Sequence, residues 1–429
     1  MEEVLLRFPH LGESIFYLLD HQSLSKCREV DNRWNIFLNW ETSKKFQIRL
    51  IKTTLNIGDS WNVIFETFSR QKIVELGITV RKFATQHIGI IHWIYKEDLT
   101  PLHIAAATGN VSLLQNIHEI VDYINKNQKN NELTPLHYAA QNGCLESVKF
   151  ILERCDEKNL QPIHFGLTPL HFAAGKGHLK TCELILDKCH DQISEDISGI
   201  TPLHEAALNG HFDVFKLIST RIRDLNPSLR GFSPFHFSAR NGHLEICKYI
   251  IERSEDKNPV GEDDATPLHC AAKNGHFKVC KLIVENCQNK NPENYQWITP
   301  LHEAAANGHL KIFELISTYV QNCNPMSRYG RTPLHLSAKS GHLKICEYII
   351  ERVHTKNPPS KKSYQTPLHE AAKGGHLKIC KLILRHVLDA NLFNSRGETP
   401  MTLANENHHM HVYKLIDSHN KKIGNIFHG

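Results

Sequence analysis

The sequence predicts an all-α protein: a solenoid of about ten helix–turn–helix repeats with hairpin loops, preceded by a small helical module. Three observations carry that expectation. The tetrapeptide TPLH, or a close variant, begins at Thr100, Thr134, Thr168, Thr201, Ser233, Thr266, Thr299, Thr332, Thr366 and Thr399. The intervals are 34, 34, 33, 32, 33, 33, 33, 34 and 33 residues. A more apolar second helix follows each, as in "HLKICKLIL" from His376 to Leu384. Self-similarity at such a period marks units that cannot bury an apolar face alone and must stack on their neighbours.

Each element of the unit has a local reason. Thr is a good N-cap, and Pro suits the first helical position, where its missing N–H is not needed. The Ala pair that follows (Ala206 and Ala207, Ala371 and Ala372) lets neighbouring helices approach closely. Gly stands nine residues after the capping residue in nine of ten copies, from Gly109 to Gly375, as a helix stop in which left-handed backbone is cheap. A polar connection closes the unit, often through Asn-Pro, as at Asn258-Pro259 and Asn324-Pro325.

At these positions the chain resembles the ankyrin-repeat family, whose signature is TPLHxAAxxGH at this period. The resemblance implies that the motif His is a hydrogen-bonding strut between repeats, and that partner proteins are bound through loop tips and the inner helix face. The tenth copy departs from the pattern: Thr402 replaces the His, Asn405 the second Ala and His408 the Gly. A terminal unit has one face in water, so these polar replacements read as a C-terminal cap.

A longer period is superimposed. Ile200–Thr220 matches Ile298–Thr318, 98 residues on, and His243–Arg253 matches His342–Arg352, 99 residues on. Repeats four to six read as a block copied into repeats seven to nine.

Composition bounds the function. At 429 residues the chain exceeds the size of one usual compact core. A formal charge of +5 is small over that length, so nucleic-acid binding would need a concentrated basic patch. The one modest candidate, around Lys356, Lys361 and Lys362, reads as a solvated loop. The opening MEEVLLRFPH has acids where a signal peptide needs bases, and no stretch approaches the roughly 18 apolar residues of a membrane span. The expected location is the cytoplasm or nucleus, with no membrane and no nucleic-acid partner.

No catalytic, cofactor or metal site is expected. Sixteen of the thirty histidines belong to the repeat pattern, and the His408, His409, His411 cluster reads as exposed cap surface. Cys182, Cys247, Cys280, Cys346 and Cys380 share one slot with Phe215, Phe313, Val148, Leu114 and Tyr413, so this is a core position and Cys serves as a small hydrophobe. There is no CxxC pair, Walker loop, GxSxG elbow, kinase signature or Rossmann fingerprint.

Aromatic residues just before the capping residue are the informative surface, because Tyr and Trp are favoured interface anchors. Phe165, Phe232, Tyr295, Trp297, Tyr329 and Tyr364 lie there. The candidates for partner contact are Tyr295, Trp297, Tyr329 and Tyr364, with Phe165 and Phe232 open to packing against the next hairpin. On the inner helix Glu205, Glu303 and Glu370 recur where Tyr138, Phe172 and Phe237 stand elsewhere, which reads as a variable recognition face.

Residues 4–40 do not share the array's pattern. Phe8-Pro9, Ile15, Leu19, Leu24, Val30 and Trp34 resemble the F-box, a helical motif that docks on the Skp adaptor of cullin-based ubiquitin ligases. The steps of five, six and four from Leu19 onward fit the pattern; Phe8 stands where Leu is usual, and Pro9 to Ile15 is one residue short. The resemblance implies adaptor contact through Pro9, Leu11, Ile15, Leu19, Leu24, Val30 and Trp34, and a substrate protein held on the ankyrin stack. The resulting division is 1–45 F-box-like module, 46–97 helical linker or degenerate cap, 98–419 solenoid and 420–429 tail. The competing reading is an ankyrin scaffold or inhibitor without a ligase link, its N-terminal helices capping the array.

Overall fold

The computed structural model describes residues 134–154, 166–189, 195–222, 224–227 and 231–428, with positions 106, 107, 109, 111 and 114. The F-box-like residues Pro9, Leu11, Ile15, Leu19, Leu24, Val30 and Trp34, the 46–97 segment and the capping Thr100 lie outside the described residues, as does Phe165. Among the described residues there are eighteen α-helices and one short 3-10 turn, as an ankyrin solenoid requires. They alternate as inner and outer members of each repeat.

The pairs run α1 Pro135–Gln141 with α2 Leu145–Arg154, α3 Pro169–Lys176 with α4 Leu179–Lys188, and α5 Pro202–Asn209 with α6 Phe212–Ser219. Then come α7 Pro234–Asn241 with α8 Leu244–Arg253, α9 Pro267–Asn274 with α10 Phe277–Asn286, and α11 Pro300–Ala306 with α12 Leu310–Ser317. The last are α13 Pro333–Ser340 with α14 Leu343–Arg352, α15 Pro367–Lys373 with α16 Leu377–Leu384, and α17 Pro400–Glu406 with α18 Met410–His428. Two compact units divide the chain, one ending at Pro202 and one beginning at Leu203.

The inner helices begin where the sequence places them, and the motif His does the capping. In the second unit the Nδ1 atoms of His236, His269, His302, His335 and His369 accept from the backbone N–H of Ser233, Thr266, Thr299, Thr332 and Thr366 at 3.1–3.2 Å. With Nδ1 accepting, the ring proton sits on Nε2. That atom donates to a carbonyl of the next repeat: Ala265, Ile298, Arg331, Gln365 and Glu398 respectively, at 2.9–3.2 Å. In the first unit His137 and His171 do the same toward Leu167 and Ile200 at 3.0 and 2.9 Å. The strut implied by the family resemblance is present in each.

The amide at the second helical position is met separately. Leu268, Leu301, Leu334 and Leu368 donate their N–H to the side-chain oxygens of Asn258, Asn291, Asn324 and Asn357. The Asn of the Asn-Pro connection thereby satisfies one of the amides that a helix start leaves unpaired.

The His that follows the helix-stop Gly is a second strut. Nε2 of His243, His276, His309, His342, His376 and His409 donates to Leu208, Arg240, Lys273, Ala306, Lys339 and Lys373 of the preceding repeat, at 2.8–3.1 Å. The ring lies against the preceding Gly, so a methyl added at Gly242 would stand 2.4 Å from the His276 ring. His409 thus belongs to the strut series, whereas His408 and His411 are exposed.

The terminal repeat shows what each residue is for. There Thr402 Oγ accepts the Thr399 N–H at 2.8 Å in place of the His ring. His408 takes the left-handed conformation (φ 62°) that Gly adopts elsewhere. The outer helix α18 runs on to His428, through residues 420–428 that the sequence reading set aside as a tail.

Packing follows the repeat. Ala271 with Ala272, Ala304 with Ala305, and Ala371 with Ala372 are fully buried. So are Phe215, Cys247, Cys280, Phe313, Cys346 and Cys380, and burial pushes the thiols of Cys247, Cys346 and Cys380 up to about 12. Such thiols are packing groups, and Cys247, Cys280, Cys346 and Cys380 are in no disulfide. Both copies of the duplicated block build the same stack on the outer helices. Phe215 meets Tyr249 edge-on with Arg253 over the tyrosine, and Phe313, Tyr348 and Arg352 repeat it.

The strut geometry admits only neutral imidazole, since a proton on Nδ1 would confront the N–H it must accept. Burial accordingly lowers His236, His269, His302 and His335 from 6.5 to about 4. A depressed basic pKa contributes stability that is complete above the unfolded value and is lost as pH falls toward the folded one. These rings are therefore expected to leave stability constant above pH 6.5, up to the range where unfolded thiols ionise, and to cost it between 6.5 and about 4, by about 1.4 kcal/mol per pH unit for each such ring. Urea unfolding followed by circular dichroism across that range measures it. His302→Gln should cost about 2 kcal/mol at neutral pH and flatten the acid slope; a midpoint that does not move with pH contradicts the account.

Candidate interaction surface at the hairpin tips

The loops between repeats are short hairpins whose turn chemistry is legible atom by atom. At residues 294–298 the Trp297 N–H returns to the Asn294 carbonyl at 2.8 Å, and the Asn294 N–H donates to the Ile298 carbonyl at 3.0 Å. The Asn294 side chain accepts from the amides of Gln296 and Ile298. This is a turn closed by one residue in left-handed backbone, the arrangement that suits three-residue hairpin loops.

That left-handed slot lies two residues before the capping residue. Gly231, Gly330 and Gly397 fill it, and Asp264 fills it with φ 58°. At Gly330 nothing larger fits, because an added methyl would stand 2.3 Å from the Lys361 amide nitrogen. Trp297 (φ 58°) and Tyr364 (φ 51°) occupy the same slot with large aromatic side chains. Non-Gly residues in this region cost of order 1–3 kcal/mol, and Asn or Asp bears it most easily.

Successive tips are tied to each other by backbone bonds. The Tyr295 N–H donates to the Asp263 carbonyl, Arg328 to Gln296, Lys361 to Tyr329 and Ser395 to Ser363, all at 2.9–3.0 Å. The aromatics therefore stand on one registered row. Tyr295 is 45% exposed, Trp297 44%, Tyr329 50% and Tyr364 57%, despite side chains that burial would favour. Phe393, on the next loop, is 68% exposed; the sequence reading missed it because it lies six residues before Thr399 rather than beside it. Phe232, by contrast, packs on His236 and Phe237 and belongs to the fold.

Lys361 and Lys362 are not simply solvated. Their ammonium groups lie 5.4 Å from the Trp297 ring centre and 5.7 Å from that of Tyr329, each across to a preceding tip. Lys356 is different again: its ammonium donates to the carbonyls of Ile350 and Val353 and closes the end of α14.

The inner-helix glutamates separate. Glu205 and Glu303 are half-buried, and burial raises the Glu303 carboxyl above its ordinary range while Lys273 opposes the shift. Glu370 departs from the expected recognition face. It is 5% exposed and holds Arg331 at 2.9 Å, so its carboxylate is engaged within the array. The partner lies 39 residues away, beyond the reach of a local pattern.

The family model for ankyrin repeats (three copies) matches residues 79–162, 153–227, 217–295, 286–362 and 353–425, and the chain belongs to the ankyrin-repeat family. No curated protein matches it. Membership supports a protein-interaction role. Among the described residues no group of three or more His, Cys, Asp or Glu is placed to hold a metal ion, and no helix is long and apolar enough to cross a membrane.

If Trp297 and Tyr364 serve binding rather than folding, removing them relieves strain. Trp297→Gly and Tyr364→Gly are expected to leave unfolding free energy unchanged or raised by up to about 1 kcal/mol, the gain being offset by the entropy of the new glycine. Chemical denaturation checks this, and a fall of more than about 1 kcal/mol would assign the rings to stability.

Proposed function

We propose that the protein is an interaction adaptor whose hairpin tips capture a partner protein through Tyr295, Trp297, Tyr329 and Tyr364, with Glu205 and Glu303 on inner helices as further contact candidates. The observation that carries this is the registered row of exposed aromatics, two of them held in costly left-handed backbone. Large rings kept in water at a conformational cost are what a binding surface needs and a fold does not.

The finer part of the proposal concerns residues 1–45. Their resemblance to the F-box makes the chain a substrate receptor of a Skp–cullin–F-box ubiquitin ligase, in which Pro9, Leu11, Ile15, Leu19, Leu24, Val30 and Trp34 meet the adaptor. The array, over 98–419, holds a substrate protein near the ubiquitin-charged enzyme. Such a receptor performs no covalent step and acts by raising local concentration. Segment 46–97 links the two modules.

Full-length protein is expected to retain a purified Skp-type adaptor, and Leu24→Asp combined with Trp34→Ala to reduce retention at least tenfold, with the unfolding midpoint of the array unchanged. No retention, or retention indifferent to the double variant, leaves an ankyrin scaffold without a ligase link. A lowered array midpoint in that variant would instead make the N-terminal helices a cap.

A further inference from the structure

The row of tips is polarised in charge, and the polarity points to the chemistry of what it binds. At one end stand Asp263, Asp264 and Glu293, all exposed. At the other stand Arg328, Lys361, Lys362 and Arg396, also exposed, on three consecutive tips. Among the described residues none of these four cations is in an ion pair with a carboxylate. Glu398, an acid on the last of these tips, is half-buried and bonded by the Asn394 amide at 2.7 Å. Two of the cations lie over rings of the row, Lys361 over Trp297 and Lys362 over Tyr329, and the exposed rings of Tyr364 and Phe393 are carried on the same tips.

Comparison of the two duplicated blocks sharpens the point. The Phe–Tyr–Arg stacks of the outer helices are the same in both copies. The tips are not. Asp263-Asp264 before Thr266 corresponds to Ser363-Tyr364 before Thr366, and Asp196-Ile197-Ser198-Gly199 before Thr201 corresponds to Asn294-Tyr295-Gln296-Trp297 before Thr299. On these two tips the second copy carries rings where the first carries none, and fewer acids.

We infer that the tips bearing Trp297, Arg328, Tyr329, Lys361, Lys362, Tyr364, Phe393 and Arg396 bind an acidic, extended segment of a partner protein, whose carboxylates meet the four cations and whose apolar side chains lie on the rings. The inference rests on the tip-binding reading and gives its partner a chemistry. Exposed ammonium and guanidinium groups on the same tips as exposed rings offer charge-assisted bonds and stacking to the same ligand. A uniformly charged nucleic acid would meet Asp263, Asp264 and Glu293 at the other end of the row, whereas a protein segment can confine its acids to one stretch. Four adjacent tips, each about one helix spacing of 10 Å from the next, span roughly 30 Å, the reach of roughly nine or ten extended residues.

The test is selection of a displayed library of random peptides, roughly twelve residues long to cover that span, on the full-length protein. The selected peptides are expected to be rich in Asp and Glu with at least one aromatic or leucine. They should lose at least tenfold in affinity toward the charge-reversed variant Lys361→Glu, Lys362→Glu, Arg396→Glu, and weaken with added salt. Selected peptides that are neutral or basic, or that bind the charge-reversed variant equally, overturn the acidic-partner inference. In that event, loss of their binding to Trp297→Gly with Tyr364→Gly leaves the tip-binding reading standing, and indifference to that pair removes it as well. A thymidine oligonucleotide that outcompetes the selected peptides would assign the row to nucleic acid instead. The unfolding midpoint of each variant, compared with the parent, separates lost contact from lost fold.

Discussion

Everything in this fold hangs on a neutral imidazole that accepts on one side and donates on the other. Nδ1 of the motif His closes the start of its own helix, and Nε2 reaches a carbonyl just before the next one. Capping and stacking are thereby a single act. A helix of seven or eight residues has almost no stability alone, so it forms where the ring that caps it is also held by its neighbour. The second His, lying over the preceding Gly and bonded to the preceding inner helix, does the same in the opposite direction. From Ser233 to Gly375 each repeat is fastened forward by one ring and backward by another.

This division leaves the hairpin tips almost unconstrained. Helix positions must satisfy a close-packed interior in which Ala, Leu, Ile and Cys fill set volumes. A tip must only supply a left-handed residue and one backbone bond to its neighbour. The duplicated block shows the consequence: the outer-helix stacks at Phe215 and Phe313 match, while the tips change from Asp264 to Tyr364. Recognition can be rewritten there without touching the core, and the cost is confined to local backbone strain at Trp297 and Tyr364.

Buried charge follows the same logic of neighbours. Glu370 lies inside the array because Arg331, from the preceding tip, is there to meet it. Glu303 occupies the equivalent inner-helix position without such a partner, is half-buried, and carries a raised carboxyl. Equivalent positions in the motif therefore differ in chemistry according to what the adjacent repeat presents.

The sequence by itself determined the class of fold, the period, the helix starts at Thr-Pro, the stops at Gly and the packing role of the Cys slot. These depend on constraints within one repeat, restated ten times along the chain. It also marked Tyr295, Trp297, Tyr329 and Tyr364, because loop position alone exposes them. Only the tertiary structure decided which carbonyl each ring nitrogen meets, that His409 continues the strut series, that Glu370 is paired, and that Lys361 and Lys362 lie over rings of other tips. It alone also showed that Trp297 and Tyr364 stand in left-handed backbone. The physical reason is common to most of these: the partner belongs to another repeat, some thirty or more residues away, and no pattern within one repeat records what the next will place against it.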